Sequence, residues 1–220
     1  MKLNRLLGSF LFLLTVVTQL RAQPTQQDRK LLAETRAEAN GGNVESQVTL
    51  GDAYFTGTMG LKVNPVEAVK WYRKAAEQND SDAQYQLAFC YHQGKGVKKN
   101  DQEAARWCRK AAEQNMPDAQ YGLGRCYANG EGVAKDAAEA VIWYRKAADR
   151  NNVSAQFALG GCYLNGQGIA KDYVMSYEWY SLAAAQGDEN SVKAVKDLEG
   201  MMSPQQIAQG RELARNFRPE

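Results

Sequence analysis

The chain has 220 residues with 27 basic and 25 acidic side chains, one histidine and a formal net charge of +2. Three of the basic residues, Lys2, Arg5 and Arg21, stand in the first 22 positions with no acid among them, so the remainder holds 24 basic against 25 acidic groups. That balance excludes the electrostatic footprint of a nucleic-acid binder, and the lone His92 excludes catalytic or metal sites built on several histidines.

Residues 1–22 have the layout of a secretory signal peptide. Lys2 and Arg5 form a charged start, Leu6 to Leu20 is mostly apolar, and Leu20-Arg21-Ala22 offers a small residue before the cut. The stretch is short for a membrane span. A retained anchor is the alternative, but no membrane insertion is expected after the leader is removed. The protein is thus expected to be exported, either periplasmic or secreted.

Residues 23–44 read as a capping segment, with a helix from Gln26 to Asn40. From 45 to 187 the chain repeats itself. Trp71, Trp107, Trp143 and Trp179 stand 36 residues apart, and Cys90, Cys126 and Cys162 keep the same interval. Ala83-Gln84, Ala119-Gln120 and Ala155-Gln156 keep it too, as do Gly94/Gly96, Gly130/Gly132 and Gly166/Gly168. A period between 20 and 50 residues marks a solenoid, in which each unit stacks only on its neighbours.

The second repeat shows the unit. Asp82 to His92 carries an apolar stripe at Ala83, Leu87, Ala88 and Tyr91, and Gly94-Lys95-Gly96 stops the helix. Asn100 caps a second helix, Gln102 to Gln114, with Glu103 placed to complete a capping box; Asn64/Glu67 and Asp136/Glu139 repeat that signal. Asn79, Asn115, Asn151 and Gly187 share one slot after the second helix, and all four tolerate positive φ. Residues 188–220 supply capping helices, the last begun by Ser203-Pro204-Gln205-Gln206, with Ile207, Leu213, Ala214 and Phe217 placed to seal the stack. The fold class is all-α, an α/α solenoid of about four 36-residue helix-turn-helix units between caps.

An exported chain with four cysteines invites a disulfide reading. Stacked helices lie roughly 8–10 Å apart, whereas a disulfide needs Cα atoms within about 7 Å. Cys90, Cys126 and Cys162, in equivalent slots, are therefore not expected to bridge one another. Cys108 fills the slot of Tyr72, Tyr144 and Tyr180 and could face Cys90. That bridge is the alternative to four small buried thiols.

Ala83–Val97, followed by Trp107–Asn115 and the Trp143-Tyr-Arg-Lys-Ala-Ala string, resembles the Sel1-like repeat, a relative of the tetratricopeptide repeat. The resemblance runs from about Gln26 to Phe217. It implies antiparallel helix pairs stacked with a right-handed turn and a non-enzymatic role as adaptor or scaffold, in bacteria often outside the cytoplasm. Cysteine-rich exported relatives carry cysteines where this chain has Ala76, Ala112 and Ala148, and Ala83, Ala119 and Ala155, so their disulfide scheme is not expected here.

Catalytic signatures are missing from the sequence. The Gly-x-Gly turns follow helices rather than strands, unlike phosphate loops. No Ser has Lys three positions on, and neither Lys-Thr-Gly, Ser-Asp-Asn nor Gly-x-Ser-x-Gly occurs. No catalytic residue, cofactor or metal is expected. Within each unit the first helix has non-core positions that vary from repeat to repeat. The resemblance places that helix on the concave side. Asp52, Phe55, Phe89, His92, Arg125, Asn129, Leu164 and Asn165 are the candidate partner-binding residues, with Phe55, Phe89 and Leu164 as apolar anchors. The expected partner is a protein or peptide, bound by a monomer. The alternative is an envelope enzyme or binder acting on peptidoglycan or β-lactam-like ligands.

Overall fold

The computed structural model describes residues 24–219, so the leader lies outside the described residues. Eleven α-helices and no strand occur among them. Four units follow one another as α2 (Val44–Thr56) with α3 (Pro65–Glu77), α4 (Ser81–Gln93) with α5 (Asp101–Glu113), α6 (Pro117–Asn129) with α7 (Ala137–Asp149), and α8 (Val153–Asn165) with α9 (Tyr173–Ala185). The ends are closed by α1 (Gln26–Asn40) and by α10 (Glu189–Glu199) with α11 (Pro204–Asn216). Up to α9 each helix packs on its chain neighbours; α10 and α11 both dock on α9. No described helix is long and apolar enough to cross a membrane.

The repeated residues make the core. Leu50, Leu87, Leu123 and Leu159 are each fully buried on the first helix of their unit. On the second helix the four tryptophans are 3–8% exposed. Lys74, Lys110 and Lys146 lie over the Trp71, Trp107 and Trp143 rings at 3.8, 4.7 and 4.1 Å. At the last unit Phe217 meets Trp179 edge-on at 5.6 Å instead. Ile207 and Leu213 pack on the cluster of Val174, Tyr177, Tyr180, Leu198 and Met202. Ile207, Leu213 and Phe217 thus pack against the last unit.

Two local requirements explain the invariant links. Asn79, Asn115 and Asn151 take φ of 70°, 65° and 63°, and Gly187 takes 92°, as their common slot requires. The second glycine of each turn meets a harder limit. A Cβ at Gly132 would lie 1.9 Å from the Asp101 carbonyl oxygen, and Gly96 and Gly168 face Pro65 and Ala137 in the same way. Here each unit touches the backbone of the one before it.

The caps need one correction. Asn64, Asn100 and Asp136 accept the expected backbone N–H bonds, but the reciprocal glutamate bond does not form. Their own N–H groups already donate to Tyr54, Tyr91 and Tyr127 carbonyls at 2.7–2.9 Å. The freed acids turn elsewhere: Glu67 to Lys70, Glu103 to Arg106, and Glu139 to the Trp143 indole N–H. Among the described residues, complete capping boxes stand only at Thr25/Asp28 and Ser203/Gln206.

Between units runs a ladder of buried amides. Gln47, Gln84, Gln120 and Gln156 donate to the carbonyls of Ala39, Ala76, Ala112 and Ala148. Gln78, Gln114 and Gln186 donate in turn to Gln47, Gln84 and Gln156, each at 2.8 Å. A parallel series joins Arg36 to Tyr54, Arg73 to Tyr91, Arg109 to Tyr127 and Arg145 to Tyr163. The amide bonds to the alanine carbonyls and the Arg–Tyr bonds cross between units and fix the register of one on the next.

Candidate functional site

In three of the four units a tyrosine from the second helix lies flat on the first. The Tyr72 ring covers Gly51, and a Cβ there would stand 2.6 Å from it. Tyr144 covers Gly124 at 2.6 Å and Tyr180 covers Gly160 at 2.8 Å in the same way. Only a residue without a side chain admits the ring at that distance. The second unit has Cys108 in place of the tyrosine and Ala88 in place of the glycine, and both are buried. The pair has changed together. Ala88 fills only part of the space the ring would take.

The remainder is a cleft of about 570 Å3 counting its open mouth. Ala88 and Cys108 form its floor, with Tyr85, Phe89 and His92 on α4 and Gly122, Arg125 and Cys126 on α6 as walls. Asp101 at the start of α5 and Glu131 in the following turn complete the rim. Gly122 keeps the mouth open, because a Cβ there would come 3.1 Å from Cys108 Sγ. The floor is apolar and the rim is charged. His92 Nδ1 lies 3.1 Å from Asp101 Oδ1, and Lys99 Nζ lies 3.3 Å from the other oxygen. Asn129 donates to Glu131. Above Phe89, which is 38% exposed, sits Phe55 at 6.1 Å, with Lys95 Nζ over both rings at 5.1 and 5.5 Å.

Of the eight residues the sequence puts forward, Phe89, His92 and Arg125 line this cleft and Phe55 extends it. The other four lie apart. Asp52 is held by the Tyr72 hydroxyl at 2.7 Å. Asn129 reaches the rim only through Glu131, and Asn165 donates back to the Gly161 carbonyl. Leu164 is half-buried and packs against the C-terminal core cluster. Tyr85, Asp101, Glu131, Cys108 and Cys126 are additional. Their signal was the break in the repeat at Cys108, which bears on shape rather than on disulfide chemistry.

All four cysteines are unpaired. Cys108 donates to the Ala119 carbonyl at 3.2 Å, and the thiol that acts on it is Cys126 on α6, not Cys90. Burial pushes Cys108 up to about 12 and Cys90 and Cys126 up to about 11, so these are protonated thiols at neutral pH and poor nucleophiles. Glu178 is buried and its carboxyl is raised by desolvation, yet it lies away from the cleft on α9. No group of three or more His, Cys, Asp or Glu among the described residues could hold a metal ion.

The Sel1 repeat family matches four consecutive segments, residues 44–80, 81–116, 117–152 and 153–188. The chain belongs to that family. Its fold is similar to that of c5321, a protective antigen present in uropathogenic Escherichia coli strains, with a TM-score of 0.78 and 32% identity over 84% of this chain and 40% of that one. A Sel1 repeat protein from Oxalobacter formigenes matches with a TM-score of 0.72 and 34% identity, over 85% of this chain and 78% of that chain. An F-box protein of Arabidopsis thaliana is 44% identical over 57 residues, which are 24% of this chain and 14% of that protein. The chain thus spans well under half the length of the F-box protein and of c5321. Sel1 repeat proteins are generally scaffolds for protein interaction and typically not enzymes.

Proposed function

We propose that this protein is an exported, non-enzymatic adaptor that holds a protein or peptide partner on the concave side of its solenoid, centred on the second unit. The observation that carries this reading is the coupled change at Ala88 and Cys108. It opens a cleft among exposed aromatic and charged groups where the sister units are filled. Phe89 and Phe55 supply apolar contact, and Arg125, with the His92–Asp101 pair, supplies polarity. Aromatic and arginine anchors ringed by polar groups are the composition that protein interfaces favour. Asp52, Asn129 and Asn165 belong to the flanks of the same surface, and Leu164, half-buried against the C-terminal cluster, marks its far end. Residues 1–22 serve as the leader, residues 23–44 and 188–220 as caps, and 45–187 as the binding array.

A glycan or β-lactam ligand has less to hold. All four tryptophans are buried, leaving none as a stacking platform, and the thiols beside the cleft are protonated.

The test is retention of a partner from envelope extract by residues 23–220, compared with Phe89→Asp/Arg125→Glu and identified by mass spectrometry. A protein kept by the wild type and released by a variant of unchanged helicity and melting supports the reading. Equal retention by both overturns the choice of surface.

A further inference from the structure

We infer that the cleft of the second unit is a socket for one aromatic side chain, tyrosine or phenylalanine, presented by the partner. This rests on the adaptor reading above and goes further by naming what enters the site. The molecule itself shows what fits. In the first, third and fourth units the same place between the two helices is filled by a tyrosine ring from the chain, lying on a bare glycine backbone. Neighbouring aromatic rings border those filled slots: Phe55 lies 6.4 Å from Tyr72, Tyr121 lies 5.8 Å from Tyr144, and Phe157 lies 5.5 Å from Tyr180. The second unit keeps the aromatic border, as Tyr85 and Phe89, but has a thiol where the ring should originate. An aromatic slot without its ring is left.

The slot is entered from outside. Where the Tyr72 side chain comes up from α3, the Cys108 sulfur stays below, bonded to the Ala119 carbonyl. Gly122 gives the mouth its width; the equivalent residues are Thr49, Gln86 and Ala158. A flat ring gains offset or edge-on contacts with Tyr85 and Phe89. The hydroxyl of a tyrosine finds charged groups at the rim, as the Tyr72 hydroxyl finds Asp52. Arg125 and Lys95 favour acidic residues next to the aromatic one.

The probe is p-cresol, which is the tyrosine side chain alone, titrated into the purified protein while backbone amide shifts are recorded. The expected result is saturable shifts at Ala88, Gly122 and their neighbours, with a Kd of about 1–10 mM for a ligand of this size. Cys108→Tyr/Ala88→Gly restores the pair used by the sister units, fills the slot from within and should abolish those shifts while the fold persists. If that variant does not fold, Gly122→Gln, which copies the residue of the preceding unit, closes the mouth instead. Absence of saturable shifts in the wild type, or equal shifts in the closed variants, overturns the inference. The two readings fail separately. A partner released by Phe89→Asp/Arg125→Glu but retained by the filled variant leaves the adaptor and removes the socket. Saturable p-cresol shifts beside a partner indifferent to both variants do the reverse.

Discussion

The second and third units share a frame and differ in how the space between their two helices is packed. In the third, Tyr144 lies on Gly124 and the space between helices is closed. In the second, Cys108 lies beneath Ala88 and the space stays open. The second-helix caps, Asn links, turn glycines and the buried glutamine recur in both. A solenoid tolerates such a change because each unit depends mainly on its neighbours. One unit can give up internal packing for a cavity while the stack as a whole is held by the rest.

The comparison can be broken from the closed side. Gly124→Ala would put a Cβ 2.6 Å from the Tyr144 ring and 3.2 Å from the Ala140 carbonyl oxygen. Overpacking of this kind costs about 1–3 kcal/mol, more than the helix propensity that alanine adds. Chemical denaturation should show a loss near the top of that range. Adding Tyr144→Cys should recover most of it and open a second cleft, with a coupling energy of about 1 kcal/mol or more between the two changes. Simple additivity would show that the Ala–Cys pair in the second unit is coincidence.

The thiol in the slot also sets a difference with pH. Cys108 is held protonated up to about 12, against an ordinary value near 9. Between those values the folded chain keeps a proton that the unfolded chain has lost. The unfolded state therefore binds fewer protons, and stability falls as pH rises through that window. The slope for one such group is up to about 1.4 kcal/mol per pH unit. Cys90 adds to the fall in the same direction up to about 11. Urea midpoints measured from pH 8 to 11 should decline, and Cys108→Ala should make the decline shallower by up to one proton. An unchanged slope would mean that Cys108 meets water more freely than its burial implies.

Most of the frame was legible before any coordinates, for a physical reason. Trp71, Asn79 and Gly96 each have equivalents in the neighbouring repeats, and a requirement met four times leaves a mark that composition alone does not. The candidate cleft was legible only in part. Phe89, His92 and Arg125 were found as exposed positions of a helix with one buried face, a property of local periodicity. Tyr85, Asp101 and Glu131 were not, because they reach the cleft from another turn of α4, from α5 and from a loop. Only stacking brings those together. Leu164 shows the same limit from the other side: its helical position is outward, but packing against the C-terminal cluster half-buries it. The capping boxes were misread for a related reason, since the pattern does not reveal that each cap N–H is already bound to the carbonyl of a preceding tyrosine.

The smallest effect concerns the third unit and the same logic of repeats. Gln78, Gln114 and Gln186 each donate to the buried glutamine of their own unit, but the slot in the third unit holds Arg150. Gln120 Oε1 is accordingly buried without a hydrogen-bond partner. A buried acceptor left unmade is more costly than the average bond is favourable. Arg150→Gln restores the rung, and the gain should be about 1 kcal/mol, read as a rise in the urea midpoint with an unchanged denaturant slope. The side-chain amide introduced at position 150 should show the slowed proton exchange of a bonded donor. A neutral or lower midpoint would mean that Arg150 stabilises its surroundings by at least as much as the missing bond.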